Sequence, residues 1–114
     1  MAEYMEEGKK AIEAFLPGAR LVAFGHVGDG NVNFNVIVPE GMDAETFNAM
    51  RDAGAKVVHD LVHRYEGSIS AEHGLGRMKT EEALLYKDAT SVAAMRAVRL
   101  ALDPKRIMNP HVLF

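Results

Sequence analysis

Two stretches of this sequence hold side chains that could bind a metal ion or transfer a proton. The first contains His26 and, a few residues later, the amides of Asn33 and Asn35, and the second is the pair Glu72 and His73 in a glycine-rich run. Imidazole and carboxylate groups are ligands for first-row divalent metals, and a carboxylate beside an imidazole can also act as an acid–base pair. We therefore expect folding to bring the two stretches into one pocket.

Each of these features also has an ordinary structural interpretation. A single histidine at the end of a strand is more often structural or solvated than catalytic, and a strand face that carries amides could simply meet water. His59 and His63 have the helical i, i+4 spacing of a metal-binding pair, but no third ligand accompanies them, which favours a solvated helix face. Arg77 and Lys79 could hold an anion or be ordinary surface charges.

The residues around His26 predict a β-hairpin. Residues 20–27 and 31–38 are rich in β-branched and aromatic side chains, and the Asp29-Gly30 pair between them is favoured in two-residue type I′ turns. Such a turn would place His26 opposite Asn33, with their Cβ atoms about 4.5–5.5 Å apart. The alternation of the second strand predicts a core face formed by Val32, Phe34, Val36 and Val38.

Apolar periodicity predicts the helices that cover this hairpin. The predicted helices are one that ends at Pro17-Gly18, one from the N-cap Asp43 to about Tyr65 with Gly67 as a left-handed C-terminal cap, a short one from Thr80, and one over residues 91–102. The last helix is expected to bury Val92, Met95, Val98 and Leu102. With a short extended piece at residues 68–71, these elements predict an α+β fold around a small antiparallel sheet.

Composition excludes several functional classes. The chain of 114 residues has no cysteine, so it has no disulfide, no thiolate nucleophile and no cysteine-ligated zinc. A net charge of −3 without a long run of one sign argues against a nucleic-acid-binding surface. No apolar stretch approaches the roughly 20 residues of a membrane helix. A cytoplasmic location is the default expectation.

Three motifs resemble the C-terminal domain of FAD-linked oxidases. They are FGHVGDGN at residues 24–31, SISAEHGLGR at residues 68–77 and LDPKRIMNP at residues 102–110, in the family's order. The family includes D-lactate dehydrogenases, the glycolate oxidase subunit and D-2-hydroxyglutarate dehydrogenase. The resemblance implies that residues 1–114 form one domain, part of a ferredoxin-like cap domain plus C-terminal helices, in which helices pack a small antiparallel sheet with a β-hairpin.

The resemblance also implies a reaction, the oxidation of a D-2-hydroxy acid to a 2-oxo acid with FAD as hydride acceptor. Carried over by motif, His26 and Glu72 would be ligands of a divalent metal, zinc in D-2-hydroxyglutarate dehydrogenase and its relatives. Asn35 and His73 would contact substrate, with His73 as the catalytic base, and Asn109 would approach the flavin. A bound metal lowers the pKa of a hydroxyl, so that a neighbouring imidazole can take its proton near neutral pH.

Two features depart from the family's pattern. Asn33 stands where the family's hairpin usually carries a second histidine, and a neutral amide is a poor zinc ligand. The family's flavin-binding domain lies N-terminal to this region and has no counterpart in the chain. We therefore expect a fragment of an FAD-dependent dehydrogenase that is inactive alone and self-associates through exposed apolar surface. The alternative is a non-enzymatic metal- or anion-binding module, or a subunit that packs on a separate flavoprotein.

Overall fold

The computed structural model describes residues 1–113 of the chain. The helices are α1 (Ala2–Phe15), α2 (Ala44–Ala49), α3 (Arg51–Arg64), α4 (Thr80–Tyr86) and α5 (Ala89–Leu102), and the strands are β1 (Arg20–Phe24) and β2 (Asn33–Ile37). The predicted α+β class is confirmed. The chain divides into two compact units, the first Met1–Ile69 and the second beginning at Ser70. Over residues 1–113, no helix combines the length and apolar character needed to cross a bilayer.

The first unit packs helices on one face of a two-stranded antiparallel hairpin. α1 contacts both β1 and α3, and its periodic apolar positions put Ile12 in the core with Leu16 and Leu61. Burying an aliphatic side chain of this size contributes about 1.5–3 kcal/mol. Gly8 lets the helix approach the sheet closely, because a Cβ at this position would lie 2.6 Å from Cε2 of Phe34.

An aromatic cluster joins this sheet to the N-terminal end of α1 and the C-terminal end of α3. The ring of Tyr4 stacks on Phe34 at a centroid distance of 5.2 Å, and it meets the ring of Tyr65 edge-on at 5.3 Å. Burial raises the pKa of Tyr4. Desolvation is the larger cause, and a hydrogen bond to the Glu7 carboxylate the smaller one, of the raised pKa of Tyr65. Both phenols therefore stay neutral at physiological pH, and Glu7 also accepts a hydrogen bond from Arg64 at 2.5 Å.

The helix predicted from Asp43 to Tyr65 consists of two helices. Asp43 caps the first of them as predicted, because its Oδ1 accepts the Thr46 N–H at 2.8 Å. α2 ends at Ala49, and the N–H of its C-cap Met50 donates to the Phe47 carbonyl at 3.1 Å. This short-range bond tightens the last turn and separates α2 from α3.

The C-terminus of α3 differs from the prediction by one residue. The left-handed residue is Glu66, with φ 54°, and not Gly67. The N–H of Gly67 donates to the Val62 carbonyl at 2.9 Å and that of Glu66 to the His63 carbonyl at 3.0 Å, which is the Schellman pattern. Space also favours glycine at position 67, since a Cβ there would lie 3.1 Å from Cγ1 of Val62.

The segment after α3 is a turn and not a strand. The predicted extended piece at residues 68–71 forms no ladder, and the described residues contain one two-stranded sheet, formed by β1 and β2. Side chains of this segment bond locally, and the Ser70 hydroxyl donates to the Gly74 carbonyl. Local side-chain bonds of this kind compete with strand pairing.

The second unit contains α4 and α5, and Ala83 and Val92 on these helices are buried. α5 begins before the predicted residue 91, because Asp88 is its N-cap and accepts the Ser91 N–H at 2.9 Å.

The predicted buried stripe of α5 is wrong in its second half. Val98 is 60% exposed and Leu102 is 74% exposed. The side that turns inward carries Arg99, which is half-buried, and Asp103, which is 5% exposed. Charged residues are rarely buried unless their polar atoms are satisfied, so this part of the second unit must supply hydrogen-bond partners.

Candidate functional site

The hairpin register differs from the one that the sequence predicts. Phe24 lies opposite Asn33 and Val22 opposite Asn35, so the predicted pairing of His26 with Asn33 is wrong. β1 ends at Phe24 and β2 begins at Asn33. His26 therefore lies in the connection between the strands, where it is exposed.

Gly25 explains why the strand ends before His26. Its φ is 150°, and a Cβ added there would lie 2.6 Å from the carbonyl oxygen of Asn31. Only glycine adopts this conformation at so short a distance from another backbone segment. The connection then forms a 3-10 turn over Val27–Asp29 and continues through Gly30 with φ 72°. The Asp-Gly pair thus belongs to a longer loop and not to a two-residue turn.

The carbonyl oxygen of His26 organises this loop. It accepts the N–H of Asp29 at 2.9 Å and the N–H of Asn31 at 3.1 Å. The two bonds fix the backbone on which the imidazole is carried, while the His26 residue itself remains exposed. A histidine held this way on a short loop can reach a metal or a substrate without a change in the fold.

The face of β2 that carries the amides is partly open to solvent. Asn35 is exposed and Asn33 is half-buried. Their partners across the ladder are apolar, with Val22 44% and Phe24 53% exposed. The opposite face of β2 holds the half-buried core residues Phe34 and Val36. The predicted alternation of β2 is therefore confirmed within the strand, and its outer face combines hydrogen-bonding amides with apolar side chains.

Glu72 and His73 lie in the glycine-rich loop of the second unit. The His73 Nε2 is 3.9 Å from the Glu72 Oε2, and the imidazole is 84% exposed while the Glu72 side chain is 40% exposed. The loop turns through Gly74 and Gly76, with φ values of 69° and 56°. The imidazole is therefore accessible from solvent, and its distance from the carboxylate is longer than a hydrogen bond.

Asn109 lies in the segment that follows α5 and its C-cap Asp103, which we call the closing segment (residues 104–113). It is exposed and its backbone is left-handed, with φ 43°. Two charged residues at the end of α5, Arg99 and Asp103, hydrogen-bond to the backbone of this segment. The sequence analysis did not single them out. Their signal is a pair of charges four residues apart at positions where an amphipathic helix should be apolar.

The donor set for a metal can be examined within each unit. Over residues 1–113, no group of three or more His, Asp or Glu side chains is placed to hold a metal ion. His26 belongs to the first unit, and Glu72 and His73 belong to the second. The expected pocket that would join them stays a prediction.

The histidines of α3 differ from each other in exposure. His63 is exposed, as a solvated helix face requires, whereas His59 is half-buried. The prediction of a solvated face is therefore confirmed for His63 alone.

The family of the chain follows from its whole length. The sequence profile described as FAD linked oxidases, C-terminal domain, matches residues 1–113. The chain belongs to this family. It is 35% identical over 114 residues to a protein named D-2-hydroxyglutarate dehydrogenase from Xanthomonas citri pv. viticola, covering 100% of the chain and 24% of that protein.

Two further relatives agree with this assignment. A D-2-hydroxyglutarate dehydrogenase from Stutzerimonas stutzeri is 35% identical over 111 residues, covering 97% of the chain and 24% of that protein. A D-lactate dehydrogenase from Archaeoglobus fulgidus is 34% identical over 111 residues, covering 96% of the chain and 23% of that protein. The chain thus spans about a quarter of the length of these FAD-linked oxidases.

Proposed function

We propose that this chain is the C-terminal part of an FAD-dependent dehydrogenase that oxidises a D-2-hydroxy acid to a 2-oxo acid. The observation that carries the proposal is the family match over residues 1–113 together with the names of the relatives, D-2-hydroxyglutarate and D-lactate dehydrogenase. Since the chain has about a quarter of their length, the activity is proposed for the larger assembly and not for these residues alone.

FAD, when bound by the rest of that assembly, would accept a hydride from the α-carbon of the substrate. His73 is the proposed base that takes the hydroxyl proton on its imidazole. The carboxylate of Glu72, with Oε2 3.9 Å from the His73 Nε2, would attract the imidazolium that forms. Proton transfer to a positioned side chain typically contributes a factor of about 10²–10⁴ in rate.

Asn35 is the proposed substrate-binding residue of the hairpin. Its amide is exposed on the open face of β2 and offers two N–H donors and one acceptor. A carboxylate or hydroxyl of a 2-hydroxy acid could use these groups. His73 is also proposed to contact substrate, since a base must lie within hydrogen-bonding distance of the proton that it removes.

Asn109 is the proposed contact to the flavin. Its exposed position in the closing segment leaves the amide able to reach a ring heteroatom. The relatives are about four times as long as this chain, and the described residues contain one sheet, a two-stranded hairpin. The cofactor is therefore proposed to be held mainly by the flavin-binding domain.

His26 and Glu72 are each proposed as a ligand for a divalent cation such as zinc. The support is their chemistry, an imidazole nitrogen and a carboxylate oxygen, and the exposure of both residues. Titration calorimetry with Zn²⁺ on the parent chain, His26→Ala and Glu72→Gln would test this. Equal heats from all three proteins would remove both residues from the ligand set.

The partner of the chain is proposed to be the flavin-binding domain, with self-association when that domain is missing. The support is the exposed apolar surface of α5 and the closing segment, where Leu102 is 74% and Ile107 is 73% exposed. Light scattering over a range of concentrations should show self-association. A monomer at all concentrations would contradict it.

A cytoplasmic location is also proposed, in keeping with the absence of cysteine.

The activity is best tested in a chimera. The matching quarter of the Xanthomonas D-2-hydroxyglutarate dehydrogenase is replaced by this chain, and turnover of D-2-hydroxyglutarate and D-lactate is followed with an artificial electron acceptor. The L-enantiomers serve as substrate controls. We expect turnover by the chimera and none by the isolated chain mixed with FAD.

His73→Gln and His63→Gln form the matched pair of variants. His63 is also exposed but lies on α3. His73→Gln should lower kcat by a factor of about 10²–10⁴, whereas His63→Gln should leave it unchanged. A chimera that binds FAD but oxidises no D-2-hydroxy acid would refute the proposed function and favour a non-enzymatic module. Equal rates for the two variants would refute the role of His73.

A further inference from the structure

The closing segment has a backbone that its own residues do not favour. Four residues that are not glycine have positive φ, and these are Arg106 (52°), Asn109 (43°), His111 (72°) and Leu113 (58°). Side chains of L-residues clash with the backbone in this region, apart from short ones such as asparagine. A segment with this many left-handed residues keeps its shape only when other parts of the protein hold it.

Asp103 supplies the first set of contacts. Its carboxylate is buried, with the residue 5% exposed. Oδ1 accepts the N–H of Ile107 at 3.0 Å and Oδ2 accepts the N–H of Met108 at 2.9 Å. Its backbone carbonyl accepts the N–H of Arg106 at 3.0 Å. The carboxylate therefore fixes the first turn of the closing segment.

Arg99, one helical turn earlier on α5, supplies the second set. Its Nη2 donates to the carbonyl oxygens of Asn109 at 3.1 Å and Met108 at 3.3 Å. Its Nη1 donates to the carbonyl oxygen of Val112. The planar guanidinium thus contacts three backbone carbonyls at once, which the single ammonium group of a lysine would not reproduce. One of these carbonyls belongs to Asn109, the proposed flavin contact.

The closing segment also contacts the glycine-rich loop that carries His73, the proposed base. The N–H of Leu113, next to the Arg99-bound Val112, donates to the Gly76 carbonyl at 3.3 Å. The Thr80 hydroxyl donates to the same carbonyl at 3.3 Å. Gly76 ends the glycine-rich loop that carries His73. A series of hydrogen bonds therefore links Arg99 to Asn109 and, through Val112 and Leu113, to Gly76 in the loop that carries His73.

We propose that Arg99 is a positioning residue: its guanidinium fixes the closing segment in the conformation that presents Asn109 to the flavin and anchors the His73 loop. The proposal rests on the proposed function for the roles of Asn109 and His73. Within residues 1–113 the hydrogen bonds of the Arg99 guanidinium go to backbone carbonyls, so it acts through these residues. Because Arg99 and Asp103 lie one helical turn apart, both reach the closing segment. The carboxylate of Asp103 accepts hydrogen bonds from its N–H groups, and the guanidinium of Arg99 donates to its carbonyls.

The first test uses the 114-residue chain itself. Backbone amide exchange is measured for the parent chain, Arg99→Met, Arg99→Lys and the control Arg96→Met, which changes an exposed arginine of the same helix. We expect exchange at Val112 and Leu113 to accelerate about tenfold or more in both Arg99 variants, and exchange at Ser91, at the start of α5, to stay as in the parent chain.

The alternative outcomes of this test are distinct. Unchanged exchange at Val112 and Leu113 in Arg99→Met would overturn the proposal. Faster exchange that reaches Ser91 in both Arg99 variants would also overturn it, because Arg99 would then support the whole unit and not this segment. Faster exchange at Val112 in Arg96→Met would also overturn the proposal, because holding the closing segment would then not be specific to Arg99.

The second test uses the chimeric holoenzyme. We expect Arg99→Met to lower kcat by a factor of about 10–100 with little change in KM, because small displacements of positioned groups have effects of this size on the chemical step. The visible absorption bands of the flavin should shift, and Arg99→Lys should not restore them. Parent values of kcat and unshifted bands in both variants would overturn the proposal. If the unsubstituted chimera is inactive, the proposed function fails, and amide exchange alone decides whether Arg99 holds the closing segment.

Discussion

Replacing Gly8 with alanine should destabilise this protein, although the same change stabilises most helices. Alanine is favoured over glycine inside a helix by about 0.8–1.0 kcal/mol. Here the added Cβ would lie 2.6 Å and 2.9 Å from Cε2 and Cζ of Phe34. That ring is stacked on Tyr4, so it cannot turn away without disturbing the aromatic cluster. The clash must be relieved by moving α1 away from β2.

The expected size follows from these two opposing effects. Overpacking a well-filled core costs about 1–3 kcal/mol, and subtracting the helix-propensity gain leaves a net loss of about 0–2 kcal/mol for Gly8→Ala. Gly54→Ala is the matched control, since Gly54 is also helical but its Cβ would lie 3.3 Å from Cε1 of Phe15. A displacement of a few tenths of an ångström relieves that contact, so Gly54→Ala should be neutral or stabilising by up to about 1 kcal/mol.

Urea denaturation of both variants measures this difference. Far-ultraviolet circular dichroism reports the helices, and the near-ultraviolet tyrosine signal reports the cluster of Tyr4 and Tyr65. We expect the free energy of unfolding of Gly8→Ala to fall below that of Gly54→Ala, by up to about 3 kcal/mol. If Gly8→Ala equals or exceeds Gly54→Ala in stability, the close approach of α1 to β2 is not as described here.

Three further predictions concern the core, the hairpin and a helix cap. Ile12→Ala should cost about 2–5 kcal/mol in urea denaturation, because Ile12 is 2% exposed and a cavity would remain; a loss under 1 kcal/mol would contradict its central place. Gly25→Ala should cost about 1–3 kcal/mol because its Cβ would meet the Asn31 carbonyl oxygen at 2.6 Å, and a stable variant with an unchanged spectrum would disprove this constraint. Hydrogen bonds from the side chain and backbone of Ser91 lower the pKa of Asp88 below 3.8. The stabilisation of the folded state by this cap is therefore present above the unfolded-state pKa of 3.8. It is lost as the pH falls through the lower pKa of the folded state. The Ser91 amide shift in NMR should therefore titrate with a midpoint below 3.8, and should not titrate there in Asp88→Asn; a midpoint at or above 3.8 would argue against the cap.

Much of the fold could be predicted because the relevant signals are local. The alternation of Phe34 and Val36 with Asn33 and Asn35 requires only the two-residue period of a strand. Asp43 caps α2 through a bond to a residue three positions away. The family motifs likewise indicated the FAD-linked oxidase family, since residues 24–31, 68–77 and 102–110 can be recognised without knowing where they lie in space.

The hairpin register shows where local signals end. Asp29-Gly30 favours a two-residue turn, but the close contact between Gly25 and the Asn31 carbonyl ends the ladder earlier and moves His26 into the connection. Both solutions satisfy the alternation of β2, because they differ by two residues and keep the same faces. The choice between them depends on backbone contacts that composition and spacing do not reveal.

The end of α5 shows the same limit most clearly. By itself, the sequence determined that this stretch is a helix that ends at Asp103-Pro104, and it favoured burial of Val98 and Leu102 because both are apolar. The tertiary structure instead turned Arg99 and Asp103 inward. The physical reason is that burial depends on partners as well as on hydrophobicity: a charged group can face inward when backbone N–H and carbonyl groups satisfy it, and only the folded closing segment provides them.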